Sequence, residues 1–325
     1  MLRTPLALLL GLPAASRAQD VNASGASFLL VPIGARLTAL GGAGVADQLG
    51  GESLLANPAA LAFARRSEIA LFHGQDIRPN RDLLTGVLAS PRLGTFGASA
   101  YLMSEPVPVT DDFGTQTGTG YFRSVYAAAS YASTIGRRLG VGLTYRFVQY
   151  RFDCSGICQR PGDPDPTVNL QPATSMVDLG AQYDLTGRVP LVLGVAVRSL
   201  GLPLQVRDRA QADPLPTQLA VGGRYEVAAV ARRVPDLRLR VLGDVVRGVG
   251  AGSSDVSLHL GVEGTFRRAF ALRGGWLQQP GLERGPSIGF GYGGGRFGFD
   301  VARQLTGFSA EAGEPPTYVT LRYGF

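Results

Sequence analysis

Three groups of residues in this 325-residue chain have the types that do chemistry. The first is Ser257, His259 and Glu263, two and then four residues apart. On an extended strand that spacing puts all three on one face. A hydrolase needs a nucleophile, a base and an orienting group that converge in space. The other histidine, His73, has no partner assignable from the sequence. A polar strand face explains the trio equally well, and no enzymatic activity is expected. The second group is Cys154-Ser-Gly-Ile-Cys158, which holds both cysteines of the chain. In an oxidising compartment the pair reads as a loop disulfide. A metal site would need two further ligands, and only Asp153 and Asp163 stand near. A redox pair would need a shorter spacing and a helix start. The third group is Gly41-Gly42-Ala43-Gly44. As a nucleotide loop it lacks the surrounding strand and βαβ unit. No cofactor and no metal are expected.

The elements that carry these residues are legible in composition and pattern. Residues 1–18 form a cleaved signal peptide: Arg3, an apolar core from Pro5 to Leu12, and Ser16-Arg17-Ala18 ahead of a mature start at Gln19. That core is too short to cross a bilayer as a helix, and no later apolar run reaches 18 residues. Charged residues are 17% of the chain, below the roughly 25% of soluble domains. Glycine, at 45 residues, weakens helix interiors. With 45% apolar residues the chain is not of disordered composition. The net charge of +6 comes without a run of five basic residues, so nucleic acid is not an expected partner.

Period-two alternation recurs along residues 68–325. In 255–266, Val256, Leu258, Leu260, Val262 and Phe266 oppose Asp255, Ser257, His259, Glu263 and Thr265. In 237–246, Leu237, Leu239, Val241 and Val245 oppose Arg238, Arg240 and Asp244. The strand at Leu139 to Phe152 is long enough to cross a membrane, which takes about 9–11 residues. A soluble sandwich has shorter strands. A one-residue slip would turn Arg238 and Arg240 to lipid, at about 2–4 kcal/mol each at the midplane. Register is therefore strongly set.

Strands are predicted at 68–76, 82–91, 94–103, 121–133, 139–152, 173–184, 189–199, 216–227, 237–246, 255–266, 269–277, 286–292, 296–303 and 317–325. Fourteen strands, with short connections alternating with mostly long ones such as 104–120 and 153–172, predict an all-β, transmembrane, antiparallel up-and-down barrel. Short turns would be periplasmic, along with both termini; the Cys154–Cys158 loop would face outside. Lone Trp276 reads as an interfacial anchor. In the last strand Val319, Leu321, Tyr323 and the terminal Phe325 share one face, resembling the β-signal read by the outer-membrane assembly machinery.

Residues 19–67 do not read as strands. Asn57-Pro58-Ala59-Ala60-Leu61-Ala62-Phe63-Ala64 predicts a short helix capped by Asn57, with Pro58 in its first turn. Phe28-Leu29-Leu30-Val31-Pro32-Ile33-Gly34-Ala35-Arg36, then Gly41-Gly42-Ala43 and Asn57-Pro58-Ala59, resemble the N-terminal region of PorV/PorQ-type outer-membrane proteins. More distantly the chain is similar to the FadL transporters of hydrophobic compounds, which share an Asn-Pro-Ala element. The resemblance implies a bacterial outer-membrane barrel of 14 strands blocked by its N-terminal segment, here 19–67; the alternative for 19–67 is a flexible periplasmic tail, which would not need Phe28-Leu29-Leu30-Val31 and Leu54-Leu55. The resemblance implies one of two tasks. The first is a PorV-like part in type IX secretion, with secretion components as partners. The second is FadL-like passage of hydrophobic small molecules. An enzyme embedded in the barrel is a third and weaker reading.

Overall fold

The computed structural model describes residues 26–31, 33–75, 80–111, 113–156, 171–204, 213–249, 255–280, 283–305 and 315–325. The leader at 1–18 and the Cys154–Cys158 pairing lie outside the described residues. The N-terminal segment carries two short helices, α1 (Ala35–Ala39) and α2 (Ser53–Ala56), and a 3₁₀ helix at Pro58–Phe63. Eight strands follow: β1 (Glu68–Gln75), β2 (Asn80–Ser90), β3 (Gly94–Thr110), β4 (Gln116–Ile135), β5 (Leu139–Gly156), β6 (Ala173–Asp184), β7 (Leu191–Gly201) and β8 (Gln218–Glu226). A helix, α3 (Ala228–Arg233), precedes β9 (Leu237–Gly248). The last five are β10 (Val256–Phe266), β11 (Phe270–Gln279), β12 (Glu283–Gly294), β13 (Phe297–Gln304) and β14 (Thr317–Gly324). All pairs are antiparallel neighbours in sequence, and β1 closes on β14 through pairs such as Leu71 with Leu321. The result is a closed 14-stranded transmembrane barrel with no free edge along its wall.

The alternation read from sequence is the alternation of the wall. Val256, Leu258, Leu260 and Val262 are exposed on the outside, whereas Ser257 and Glu263 are buried inside. Val241 and Val245 face out, and Asp244 faces in. Leu321, Tyr323 and Phe325 are exposed on the outer face of β14, and Val319 shares that face by register. Trp276 also faces outward, on β11.

Three connections differ from expectation. The one predicted at 278–285 is mostly strand, because β11 and β12 pair as far as Gln279 and Glu283. The predicted loop at 104–120 is mostly strand: β3 and β4 run on as a hairpin to Thr110 and Gln116. Val107, Val109, Thr117 and Thr119 are good strand formers. Pro106 and Pro108 lie beyond Ser104, where β3 no longer pairs with β2, so their missing N–H groups need not interrupt a second ladder. The connection at 228–236 contains α3 rather than a plain turn.

Both described ends of the barrel chain lie with the short turns, since Phe325 N–H donates to Ser67 O at 3.0 Å. Each of the six turns at that end carries an exposed arginine: Arg92, Arg137, Arg188, Arg233, Arg268 and Arg296. Arg65 and Arg66, just before β1, are exposed there too. Arg267 and Arg268 have φ of 50° and 57°, where a two-residue hairpin turn usually takes Asn-Gly.

Candidate functional site

Among the described residues, polar side chains from many strands converge in the lumen. It is occupied by the N-terminal segment, whose contacts run around the wall from β2 to β14. Glycine makes room for it. A methyl group on Gly180 would overlap Asn57 Oδ1, and one on Gly142 would meet the backbone of Pro58 and Ala59. On the far wall, a methyl on Gly275 would strike the backbone of Leu40 and Gly41, and one on Gly261 would come within 2.8 Å of Leu40 O. Gly41 and Gly42 themselves take φ of 65° and 81°, values that disfavour other residues. The Gly41-Gly42 stretch is therefore a tight turn seated on glycine-lined strands, with no phosphate-loop geometry around it.

Asn57 is fully buried and works in two directions. Its Oδ1 accepts the Ala59 N–H at 3.0 Å and caps the 3₁₀ helix; the sequence predicted the cap but not the tighter helix type. Its Nδ2 donates to Val45 O at 2.8 Å and reaches Ala181 O and Val195 O at 3.3 Å, tying the cap to β6 and β7. Pro58 and Ala59 are buried beside it. Gln182 adds a bond to Val45 O at 2.9 Å, and Asp244 accepts the Gly44 and Val45 N–H groups at 2.7 and 2.9 Å.

A buried ionic network holds the other half of the segment. Arg36 on α1 bonds Asp47 at 2.9 Å and Glu263 of β10 at 3.1 Å. Asp47 also receives Arg224 at 2.9 Å and Arg240 at 3.3 Å. Glu263 is shared further with Arg240 and with Arg273, the latter at 2.6 Å. Asp300 bridges Arg273 and Arg322 at 2.7 and 2.5 Å. Burial alone would raise the Asp47 carboxyl, but Arg36, Arg240 and Arg224 overcome this and hold it well below the usual carboxylate range.

Glu52 is the exception in this network. Its carboxylate accepts the Leu37 N–H at 2.7 Å and the Arg36 N–H at 3.4 Å, capping α1. Burial, reinforced by Asp300, nevertheless pushes it up to about 7 against Arg322, the Leu37 N–H and Arg36. A carboxyl raised on folding binds a proton the unfolded chain releases. Its contribution is fully present below about 4.5 and falls as pH rises towards 7. We expect the segment to be seated more firmly at pH 5.5 than at pH 8, read as slower tryptic cleavage after Arg36. Glu52→Gln should flatten that dependence; an unchanged pH profile in the variant would refute the assignment.

Towards the longer connections, a cavity of about 60 Å³ remains beside the segment. One side is aromatic: Phe28 stacks on Tyr101 at 5.3 Å, and Tyr101 on Tyr126 at 4.9 Å. Such pairs contribute about 0.5–1.5 kcal/mol each. Leu29, Leu30 and Leu55 extend the apolar side. The other side is polar. Arg146 lies over Tyr126 and bonds Asp178 at 2.7 Å; Arg198 bonds Gln218 at 2.8 Å. A bulge sets Arg198 and Ser199 opposite the single residue Asp178. Ser199 N–H donates to Asp178 Oδ1 at 2.7 Å.

The candidate catalytic trio does not form. Glu263 is engaged by three arginines, while His259 lines the cavity with Nδ1 against Gly42. His73, without an assignable partner in the sequence, meets Asp82 at 2.8 Å on the outer face. The residues that hold the segment, Asp47, Gln182, Arg224 and the wall glycines, were missed as a site. The polar alternation marked the lumen strands, but no local pattern distinguishes a wetted polar residue from one that anchors a plug.

No family model matches the sequence, and no curated protein matches it. Solved structures do match. The chain is similar to the Ralstonia pickettii toluene transporter TbuX, at 15% identity and a TM-score of 0.60 over 91% of this chain and 99% of that one. It is similar to the P. putida toluene transporter TodX, at 12% identity and a TM-score of 0.59 over 90% and 98%. A Pseudomonas aeruginosa FadL homologue matches at 12% identity and a TM-score of 0.55 over 91% and 98%. At these identities the likeness is one of fold alone: the closed antiparallel barrel that this chain shares with those three structures.

Proposed function

We propose that this protein is an outer-membrane barrel that passes small hydrophobic molecules, entering at the cavity beneath the longer connections. The observation that carries the reading is the cavity itself, an aromatic and aliphatic surface with a few placed polar groups, set directly on the lumen-filling segment. The fold shared with two toluene transporters supports it. On sequence grounds a PorV-like secretion role stood first. That role rests on the N-terminal resemblance alone, whereas hydrophobic transport has both the resemblance and the fold. We further propose that the barrel is not an enzyme, because His73 is paired with Asp82 and the lumen carboxylates Asp47 and Glu263 are held by arginines, which leaves His259, among the described residues, without a carboxylate to orient it.

The size of the cavity constrains the mechanism. A benzene-sized guest occupies a cavity of about 150 Å³. At about 60 Å³ the site is too small for one as it stands. Entry therefore requires the Phe28–Val31 wall to yield, and passage requires the segment behind it to shift. Proteoliposomes carrying the protein should take up labelled toluene faster than protein-free vesicles. Leu30→Trp, which adds bulk at the cavity wall, should slow that uptake severalfold. Uptake equal to that of protein-free vesicles would overturn the proposal.

A further inference from the structure

We propose that the turn end of the barrel binds an anionic phospholipid. The headgroup phosphate would be held by Arg66 and Arg296, and an acyl chain would lie in an apolar groove across β1, β14 and β13. Two independent features meet at this place. The first is charge. All 31 basic residues of the chain are arginines, so arginine instead of lysine carries no message here; the placement does. Every short turn presents an exposed arginine, and Arg65 and Arg66 add two more. Acidic residues at this end are Asp184, Glu226 and Asp236, with Glu68 turned inward onto the Gly51 N–H. Among the described residues, only Arg267 of the turn arginines has an acidic partner, Asp236 at 3.4 Å and well exposed. An unneutralised ring of guanidinium groups at the membrane boundary is complementary to phosphate headgroups.

The second feature is a groove of about 350 Å³ on the outer, lipid-facing wall. It is lined by Ile69, Leu71, Phe297, Phe299, Leu321 and Tyr323. A void of that size on a lipid-facing surface is filled by hydrocarbon, because nothing else in the bilayer core is available to fill it. Its turn-side end carries the charge. Arg296 donates to Tyr323 Oη at 3.4 Å, and Arg66 donates to Gly295 O at 3.5 Å, so both guanidinium groups stand beside the groove. Phosphate above and acyl chain below is the shape of a phospholipid, and a free phosphate would leave the groove unfilled. The orientation expected from the loop lengths places this end in the phospholipid leaflet. The site is independent of whatever the lumen carries.

Native mass spectrometry of the protein in neutral detergent tests the site, with phosphatidylglycerol, phosphatidylcholine or lipid A added in turn. Phosphatidylglycerol should be retained about tenfold or more better than phosphatidylcholine, since each arginine near an anionic surface contributes about fivefold, or ~1 kcal/mol. Arg66→Gln with Arg296→Gln should abolish most of that preference. Leu71→Trp, which fills the groove and leaves the charge intact, should lower retention of both phospholipids. Arg123→Gln with Arg151→Gln, at the opposite end of the barrel, should change neither. Equal retention of the two phospholipids, preference for lipid A, or indifference to both the arginine and the Leu71 variants would overturn the proposal.

Discussion

Asp47→Asn is expected to unseat the N-terminal segment while leaving the barrel closed. Asp47 is wholly buried and is the shared partner of Arg36, Arg224 and Arg240. Removing one member of a buried ion pair typically costs about 3–5 kcal/mol, because the remaining charge stays buried without compensation. Here three guanidinium groups lose their common carboxylate. Two belong to the wall, on β8 and β9, and one belongs to α1, so repulsion falls between segment and wall. The measurable result is rapid tryptic cleavage after Arg36 and a sustained current in planar bilayers, with strand content by circular dichroism unchanged. Asp236→Asn is the comparison. Its bond to Arg267 is exposed, and such pairs contribute about 0–1 kcal/mol. If the two variants behave alike, the ionic network is not what holds the segment.

Gly275→Ala and Gly274→Ala should differ sharply although the two glycines are neighbours on β11. A methyl on Gly275 points inward and meets the backbone of Leu40 and Gly41, which has no flexible end to give way. A methyl on Gly274 points outward and meets nothing within 4 Å. Forcing extra carbon into a packed interior costs about 1–3 kcal/mol, whereas replacing glycine at an unstrained open site stabilises by about 0.4–1 kcal/mol. Chemical unfolding should rank Gly275→Ala below the unaltered protein and Gly274→Ala at or slightly above it. Cleavage after Arg36 should accelerate only in the former. Equal stabilities would show that the wall glycines are not the seat.

How much of this was legible beforehand depended on the range of the interaction concerned. Strands such as 173–184 and 237–246 were readable because side-chain direction alternates with every residue, so lipid and lumen impose a period of two on the sequence. The hairpin at 104–120 is not legible as strand from the sequence: Pro106 and Pro108 lack an N–H to donate, and only the structure shows that β3 has no β2 partner there. The Asn57 cap was readable because its first partner, the Ala59 N–H, is two residues away. Its bonds to Ala181 and Val195 were not, because they span more than a hundred residues.

By itself the sequence determined the barrel, its strand count and the faces of its strands, since each is written in local alternation against two solvents. Ser257, His259 and Glu263 do share the inner face that their spacing required. Only the tertiary structure decided what they do there. Closure of β1 on β14 brings β8, β9, β10 and α1 around one volume. In that volume Glu263 becomes a clamp for Arg36, Arg240 and Arg273, and His259 becomes part of a cavity wall. The physical reason is that a buried charge takes its meaning from the nearest opposite charge, and in a closed barrel that partner comes from a distant part of the chain.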